Sequence, residues 1–145
     1  MKLETKYFGS IEVEDNKIVS MKHPIYGFEE LSKYVILTDT EIGNDIIWFQ
    51  SVQEKNICFI LANLMQVAPD YHPTVPEEAL QQLEVNDTDD LLYFAIMVMA
   101  DDIKNSTANL KSPIIINPHN NNAIQVILDQ DYSLRHRLFD VEGQE

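Results

Sequence analysis

The stretch Asn105-Ser106-Thr107-Ala108-Asn109-Leu110-Lys111-Ser112-Pro113-Ile114-Ile115-Ile116-Asn117 decides how the rest of this chain is arranged. Its first half is small and polar, and side chains of this kind define loops by bonding to nearby backbone groups. Its run of three isoleucines is typical of a strand that is buried on both faces. We therefore expect a rigid loop that leads directly into a core strand. We expect that strand to lie opposite the most apolar segment of the chain, residues 91–100.

The segments around this stretch favour a mainly antiparallel all-β fold. Residues 91–100 carry no charge, and although their length would also suit a helix, their aromatic residues and flanking acids favour a central strand. Residues 46–52 and 57–63 predict a hairpin with a four-residue loop. Residues 114–117 and 123–128 predict a second hairpin across an Asn-rich turn.

The first part of the chain predicts further strands and a short helix. Residues 5–13 alternate between apolar and polar side chains, as in a strand interrupted at Gly9, and residues 17–21 are expected to complete a hairpin with it. Residues 28–34 place apolar side chains at a spacing of three and predict one or two helical turns. A strand over residues 34–37 follows.

A second helix is predicted over residues 77–83, with Thr74 as its cap and Pro76 in its first turn. About eight short strands and one or two short helices, without an internal repeat or a linker, predict a small β-barrel or pseudobarrel. We expect a single domain over residues 1–140 and a frayed acidic tail over residues 141–145.

Charge is the strongest signal in the composition. The chain has 24 Asp and Glu against 10 Lys and Arg, which gives a formal net charge of −14. Between residues 34 and 103 the only Lys or Arg is Lys55. Phosphate binding needs clustered cations, so this middle segment argues against direct nucleic-acid binding. The charge is compatible with a basic protein partner and equally with a solvated face that has no partner.

The single cysteine and the pattern of apolar residues indicate the compartment. Cys58 lies in an apolar run and is expected to be a small buried hydrophobe, not a catalytic thiol. One cysteine cannot form an intramolecular disulfide, which favours a reducing environment. No signal-peptide pattern opens the chain, and no apolar run reaches the length that spans a membrane. We therefore expect a cytoplasmic monomer without membrane contact.

The residues show no catalytic, cofactor or metal pattern. The histidines lack the spacing of metal ligands, and residues 87–90 lack the glycine and the final glutamate of a calcium loop. No G-x-S-x-G motif or glycine-rich phosphate loop occurs. We expect Arg135 to pair with a core acid as a structural ion pair. The sequence thus predicts no enzymatic activity and a protein that works by binding.

A set of segments in a fixed order runs through residues 5–138. They are Thr5-Lys6-Tyr7-Phe8-Gly9, Gly27-Phe28-Glu29-Glu30-Leu31, Trp48-Phe49-Gln50-Ser51, Pro69-Asp70-Tyr71, the stretch quoted first, Gln125-Val126-Ile127-Leu128 and Tyr132-Ser133-Leu134-Arg135-His136. Together they resemble the FliW family of bacterial flagellar assembly factors. The residues of this pattern that we expect to hold the structure are Thr107, Asn109, Pro113, Asn117, Tyr132 and Arg135. The resemblance implies a β-barrel-like fold and a non-enzymatic regulator. Such a regulator binds flagellin or, in exclusive alternation, sequesters the translational repressor CsrA and so relieves repression of flagellin synthesis.

The resemblance and the charge together suggest two partner sites. CsrA carries a basic RNA-binding surface, and the acids expected to face it are Glu84, Asp87, Asp89, Asp90, Asp101 and Asp102. Thr107 and Asn109 are expected to hold the loop beside the last two acids. Flagellin ends in amphipathic helices that require an apolar groove, for which the candidates are Phe8, Leu64, Met65, Val67 and Tyr71. Ordinary packing is the alternative role for each of these five. From the residues alone, a nucleic-acid barrel, a carboxylate enzyme and a generic acidic interaction domain stay open as alternatives.

Overall fold

A closed barrel of seven strands forms the centre of the fold. The computed structural model describes residues 1–41, 43–85, 88, 90–102 and 105–137. The strands are β1 (Lys2–Glu4), β2 (Ser10–Glu12), β3 (Val19–His23), β4 (Lys33–Asp39), β5 (Gly43–Ser51), β6 (Cys58–Asn63), β7 (Leu92–Val98), β8 (Thr107–Ala108), β9 (Ile114–Asn117), β10 (Asn122–Gln125) and β11 (His136–Arg137). The helices are α1 (Leu64–Val67), α2 (Glu77–Leu83) and a 3-10 turn over Asp15–Lys17. The predicted class, a mainly antiparallel barrel with short helices, is confirmed.

The barrel closes where β7 pairs antiparallel with β9. Leu92 lies opposite Ile116 and Phe94 lies opposite Ile114, so the two segments predicted to form the core are direct neighbours. Ile114 and Ile116 pack into the barrel interior. Ile115 points to the other face, where it packs beneath α2. Because a strand places successive side chains on opposite faces, this arrangement explains why all of β9 is buried.

The barrel sheet is mixed, which the sequence did not indicate. The order around the barrel is β7-β6-β5-β4-β3-β10-β9, and β3 pairs parallel with β10 while the other neighbours are antiparallel. The hairpin predicted over residues 46–52 and 57–63 is confirmed as β5–β6. Beyond the barrel, β8 pairs with the second half of β7, and β11 pairs with β8.

The start of the chain differs from the prediction of one interrupted strand. Residues 5–13 contain a turn, and β1 and β2 on either side of it form a two-stranded hairpin. The Thr5 hydroxyl donates to the carbonyl oxygen of Gly9 (2.7 Å) and accepts from the N–H of Phe8 (2.9 Å). Gly9 has a φ of +69°, a value that an L side chain rarely adopts. The expected pairing of residues 17–21 with residues 5–13 is also wrong, because β3 pairs with β4 and β10.

Of the two helix predictions, one is confirmed and the other is wrong. Helix α2 covers the predicted residues 77–83, but its N-cap is Pro76, with no side-chain cap, and not Thr74. The helix predicted over residues 28–34 is absent: these residues form turns, and β4 already begins at Lys33. Helix α1, which was not predicted, begins after Asn63, whose side-chain oxygen accepts from the N–H of Met65 (3.3 Å). Among the described residues, no helix is long and apolar enough to cross a membrane.

Among the described residues, one buried side-chain oxygen has no hydrogen-bond partner. The side chain of Tyr34 is fully buried and stacks on Phe49, with ring centroids 4.4 Å apart. Its hydroxyl makes no hydrogen bond to any described residue. Burial also raises the pKa of Tyr34 to about 12. The unfolded chain would release this proton near pH 10, so the stability that depends on the protonated phenol is lost as pH rises from about 10 towards 12.

Replacing this tyrosine should therefore stabilise the protein. We expect Tyr34→Phe to raise the free energy of unfolding by about 1 kcal/mol, because a buried unsatisfied hydroxyl carries a desolvation cost of that order. The variant should also lose part of the destabilisation above pH 10. Urea unfolding at pH 7 and pH 11 measures both effects, and Tyr7→Phe is the control because Tyr7 is exposed. A loss of about 1 kcal/mol or more would show that the hydroxyl has a partner, such as a buried water.

Candidate functional site

An apolar groove lies at the side of the barrel where β7 and β8 meet the segments after β10 and before β11. It has a volume of about 380 Å³. In the described part of the chain eight large apolar side chains are exposed, and four of them line this groove: Tyr26 (46%), Val98 (69%), Ile127 (54%) and Leu134 (59%). Half-buried Phe28, Phe59 and Ile96 also line it and join it to the barrel core. Exposed apolar side chains gathered in a concave surface are typical of a binding site.

Two side-chain amides, buried Gln125 and half-buried Asn109, hold the walls of the groove in place. The side chain of Gln125 accepts a hydrogen bond from the N–H of Tyr26 (2.7 Å) and donates one to the carbonyl oxygen of Ser112 (3.1 Å). The side-chain oxygen of Asn109 accepts from the N–H groups of Lys111 (3.1 Å) and Ser112 (3.0 Å). The Asn109 N–H also donates to Ile96 in β7 (3.0 Å). These bonds connect four separate segments, so the groove is preformed.

The groove has a positive edge. Among the described residues that line it, Arg135 is the one charged side chain, and it is exposed. Arg137, close to it in sequence, donates to the side-chain oxygen of Asn105 (3.1 Å). The ion pair expected between Arg135 and a core acid is wrong for the described residues, whose two ion pairs are Glu12 with the N-terminus and Asp90 with His119. An apolar segment that carries an acidic side chain would match this groove.

The predicted flagellin residues are only partly brought together. Leu64 is 1% exposed and packs in the core, so its prediction as a surface contact is wrong. Phe8 is half-buried and packs edge-on against Trp48, with centroids 5.5 Å apart. Exposed Met65 and half-buried Tyr71 line a cavity of about 220 Å³. Val67 and Tyr71 line a second cavity of about 550 Å³ beside it.

The predicted acids fall into two groups at opposite ends of β7. Glu84 accepts from the side chain of Asn122 (3.3 Å), and Asp90 lies 3.3 Å from His119, so both sit beside the turn between β9 and β10. Asp101 and Asp102 follow the other end of β7, a strand that spans about 23 Å. Asp87 and Asp89 lie outside the described residues. The acids therefore do not form one cluster.

Three of the signature residues make side-chain hydrogen bonds, whereas Thr107 and Arg135 line the apolar groove. Asn109 holds the turn before β9, and the side chain of Asn117 donates to the carbonyl oxygen of Leu83 at the end of α2 (2.8 Å). The Tyr132 hydroxyl accepts from the N–H of His72 (3.1 Å). The hydroxyl that holds the loop with the last two acids belongs to Ser106, which accepts from Ala100 (2.8 Å), and not to Thr107, which lines the groove.

Cys58 carries no sign of nucleophilic activation. It is half-buried, and burial raises the pKa of its thiol to about 11, although Lys6 opposes the shift. The thiol is therefore protonated at neutral pH and is a poor nucleophile. No group of three potential metal ligands occurs among the described residues. The features that the structure does bring together are those of a binding surface.

Comparison with known proteins defines the class and then the family. The chain is 37% identical to the flagellar assembly factor FliW of Caldicellulosiruptor bescii over 139 residues, which cover 95% of this chain and 90% of that protein. It is 38% identical to the factor of the same name from Caldanaerobacter subterraneus subsp. tengcongensis over 141 residues, 97% and 94% of the two chains. A crystal structure of the flagellar assembly factor FliW has a TM-score of 0.88 and 34% identity, covering 96% of this chain and 97% of that one.

These relatives are flagellar assembly factors, and this chain is of that class. The family model described as FliW protein matches residues 2–138. The chain belongs to the FliW family.

Removing the side chain of Asn109 should loosen the groove. Asn109→Ala leaves the N–H groups of Lys111 and Ser112 without an acceptor, so we expect the free energy of unfolding to fall by about 1–2 kcal/mol. Asn109→Asp keeps an acceptor oxygen and should lose less than about half of that. Chemical unfolding of both variants measures the difference. Equal stability of the alanine variant and the unaltered protein would show that this turn does not depend on its side chain.

Proposed function

We propose that this protein is a non-enzymatic regulator of flagellar assembly in the cytoplasm. It binds flagellin and, in alternation, sequesters the translational repressor CsrA, so that flagellin synthesis resumes when free flagellin is depleted. Membership in a family of flagellar assembly factors supports the flagellar role. The observation that carries the binding role is the apolar groove with its preformed walls.

The apolar groove fits one face of an amphipathic helix such as those at the ends of flagellin. Such a helix presents apolar side chains at spacings of three and four, which fill a groove of this kind. The four exposed side chains around the groove, Tyr26, Val98, Ile127 and Leu134, would lose their contact with water. Burying a large apolar side chain fully is worth about 1.5–3 kcal/mol, and these side chains are about half exposed, so each contributes less than that. Arg135 would pair with an acid on the helix.

The acidic surface suits the basic RNA-binding face of CsrA. The net charge of −14 attracts a basic partner over a distance of about one Debye length, which raises the rate of association at low salt. Asp101 and Asp102 follow Val98, a rim residue of the apolar groove, by only three and four positions. A helix in the groove would therefore crowd a protein bound at these acids. This proximity supports alternation between the two partners.

Charged substitutions in the apolar groove should weaken flagellin binding. We expect Ile127→Asp and Leu134→Asp each to weaken the affinity for monomeric flagellin by about tenfold or more, because each places a charge where an apolar contact is needed. Both side chains are more than half exposed, so the fold should be unaffected. Isothermal titration calorimetry measures the affinity. Met65→Asp is the matched control at an exposed apolar site outside this groove. If the control alone loses affinity, flagellin binds at the predicted site near Tyr71 instead.

Charge-reversal variants should show which of the two groups of acids steers the association with CsrA. We expect Asp101→Lys with Asp102→Lys to slow CsrA association by about tenfold at low salt and much less at high salt, because steering is screened. Reversal of Asp87, Asp89 and Asp90 together tests the acids that precede β7 in the sequence. Stopped-flow measurements at several salt concentrations give the rates. Unchanged association in both variants would exclude steering by these acids.

A further inference from the structure

A second cavity, which we call the tyrosine pocket, lies between the segment after α1 and the segment before β11. Its volume is about 550 Å³, and its walls include Pro69, Asp70, Tyr71, Asp131, Tyr132 and His136. None of these residues lines the apolar groove. The flagellin and CsrA contacts proposed above for the apolar groove and the predicted acids do not involve this pocket.

Two tyrosine rings form a fixed wall of the tyrosine pocket. The rings of Tyr71 and Tyr132 lie with centroids 4.7 Å apart at an angle of 52°. The hydroxyl of Tyr71 donates to the carbonyl oxygen of Leu110 (2.7 Å), and the hydroxyl of Tyr132 accepts from the N–H of His72 (3.1 Å). Burial is the main cause that raises the pKa of Tyr71, so this ring is neutral at physiological pH. The pocket wall is therefore aromatic, neutral and held from both ends.

Two carboxylates give the tyrosine pocket its charge. Asp70 and Asp131 are both exposed and belong to its lining, whose described residues include no Lys or Arg. In the part of the chain that the structure describes, neither carboxylate belongs to an ion pair. The ammonium group of Lys111, on the segment that leads to β9, is instead bound to the carbonyl oxygens of Leu128 (2.9 Å) and Gln130 (3.0 Å). The pocket thus offers negative charge beside aromatic faces.

A smaller apolar cavity adjoins the tyrosine pocket. It has a volume of about 220 Å³ and is lined by Leu64, Met65, Tyr93 and the three residues that it shares with the tyrosine pocket, which are Ala68, Pro69 and Tyr71. Met65 is exposed at its edge. The ring of Tyr71 therefore separates an apolar cavity from an acidic one, and a single bound segment can reach both.

We propose that the two adjoining cavities bind a segment of a protein partner in which an arginine side chain stands next to a large apolar side chain. The guanidinium group stacks on the tyrosine faces and pairs with Asp70 and Asp131, while the apolar side chain enters the smaller cavity. Arginine fits better than lysine because its planar group can stack and pair at the same time. This proposal rests on the proposed function only in taking a protein as the occupant. It uses a different surface from the apolar groove.

A pair of peptides tests this proposal with the full chain. The probe is acetyl-Ala-Leu-Arg-Leu-Ala-amide, and its control replaces arginine with citrulline, which has nearly the same shape but no charge. We expect the arginine peptide to shift the backbone amide NMR signals of residues 65–71 and 131–136 with a dissociation constant of about 1 mM. The citrulline peptide should bind about tenfold more weakly, because citrulline has no positive charge to place over the tyrosine rings or to pair with the carboxylates.

Matched variants identify the residues responsible. Asp70→Asn with Asp131→Asn should weaken arginine-peptide binding by about tenfold, whereas Glu30→Gln with Glu54→Gln removes the same charge elsewhere and should leave it unchanged. Flagellin binding by the Asp70 and Asp131 variant should be normal, since the apolar groove is intact. Equal binding of the two peptides, shifts confined to other residues, or no saturable shifts up to about 5 mM would overturn the proposal. If Leu134→Asp loses flagellin binding while the Asp70 and Asp131 variant keeps it, the result concerns the apolar groove and not the tyrosine pocket.

Discussion

The fold depends on burying β9 from both sides. The pairing of β7 with β9 closes the barrel, and it places Ile114 and Ile116 inside while Ile115 points outward. An isoleucine on the outer face needs a cover, and α2 supplies it. The amide of Asn117 then joins the end of β9 to the end of α2 through Leu83. Closure of the barrel and docking of the helix thus depend on the same strand.

Strong local patterns predicted much of this fold. The β-branched and aromatic runs of β5, β6, β7 and β9 predicted strands that are present, and Pro76 followed by acids predicted helix α2. The failures have physical causes. Phe28 and Leu31 have helical spacing, yet Gly27 at a φ of +91° and the early start of β4 leave room only for turns. The parallel pairing of β3 with β10 joins segments about one hundred residues apart, and no local pattern reports such a contact.

The candidate site was less predictable than the fold because it is assembled from distant segments. Tyr26, Val98, Ile127 and Leu134 show no common periodicity, and each is an ordinary apolar residue in its own segment. A hydrogen bond between Gln125 and the N–H of Tyr26, 99 positions away, brings two of these segments together. The acids named from the sequence lie on both sides of the segment predicted as a central strand, and the length of that strand separates them in the structure. The side chain of Asn109 binds the turn before β9 and not the loop of Asp101 and Asp102, a difference that residue type alone could not show.

The two halves of strand β7 pair with different strands. Its first half is paired with β9 in the barrel, and its second half is joined to β8 through only two residue pairs. Local opening is governed by how many buried contacts and bonds must break together. The outer sheet of β8 and β11 is therefore attached to the barrel by fewer ladder bonds than join most of the barrel strands to one another, and opening it costs less free energy than opening the barrel.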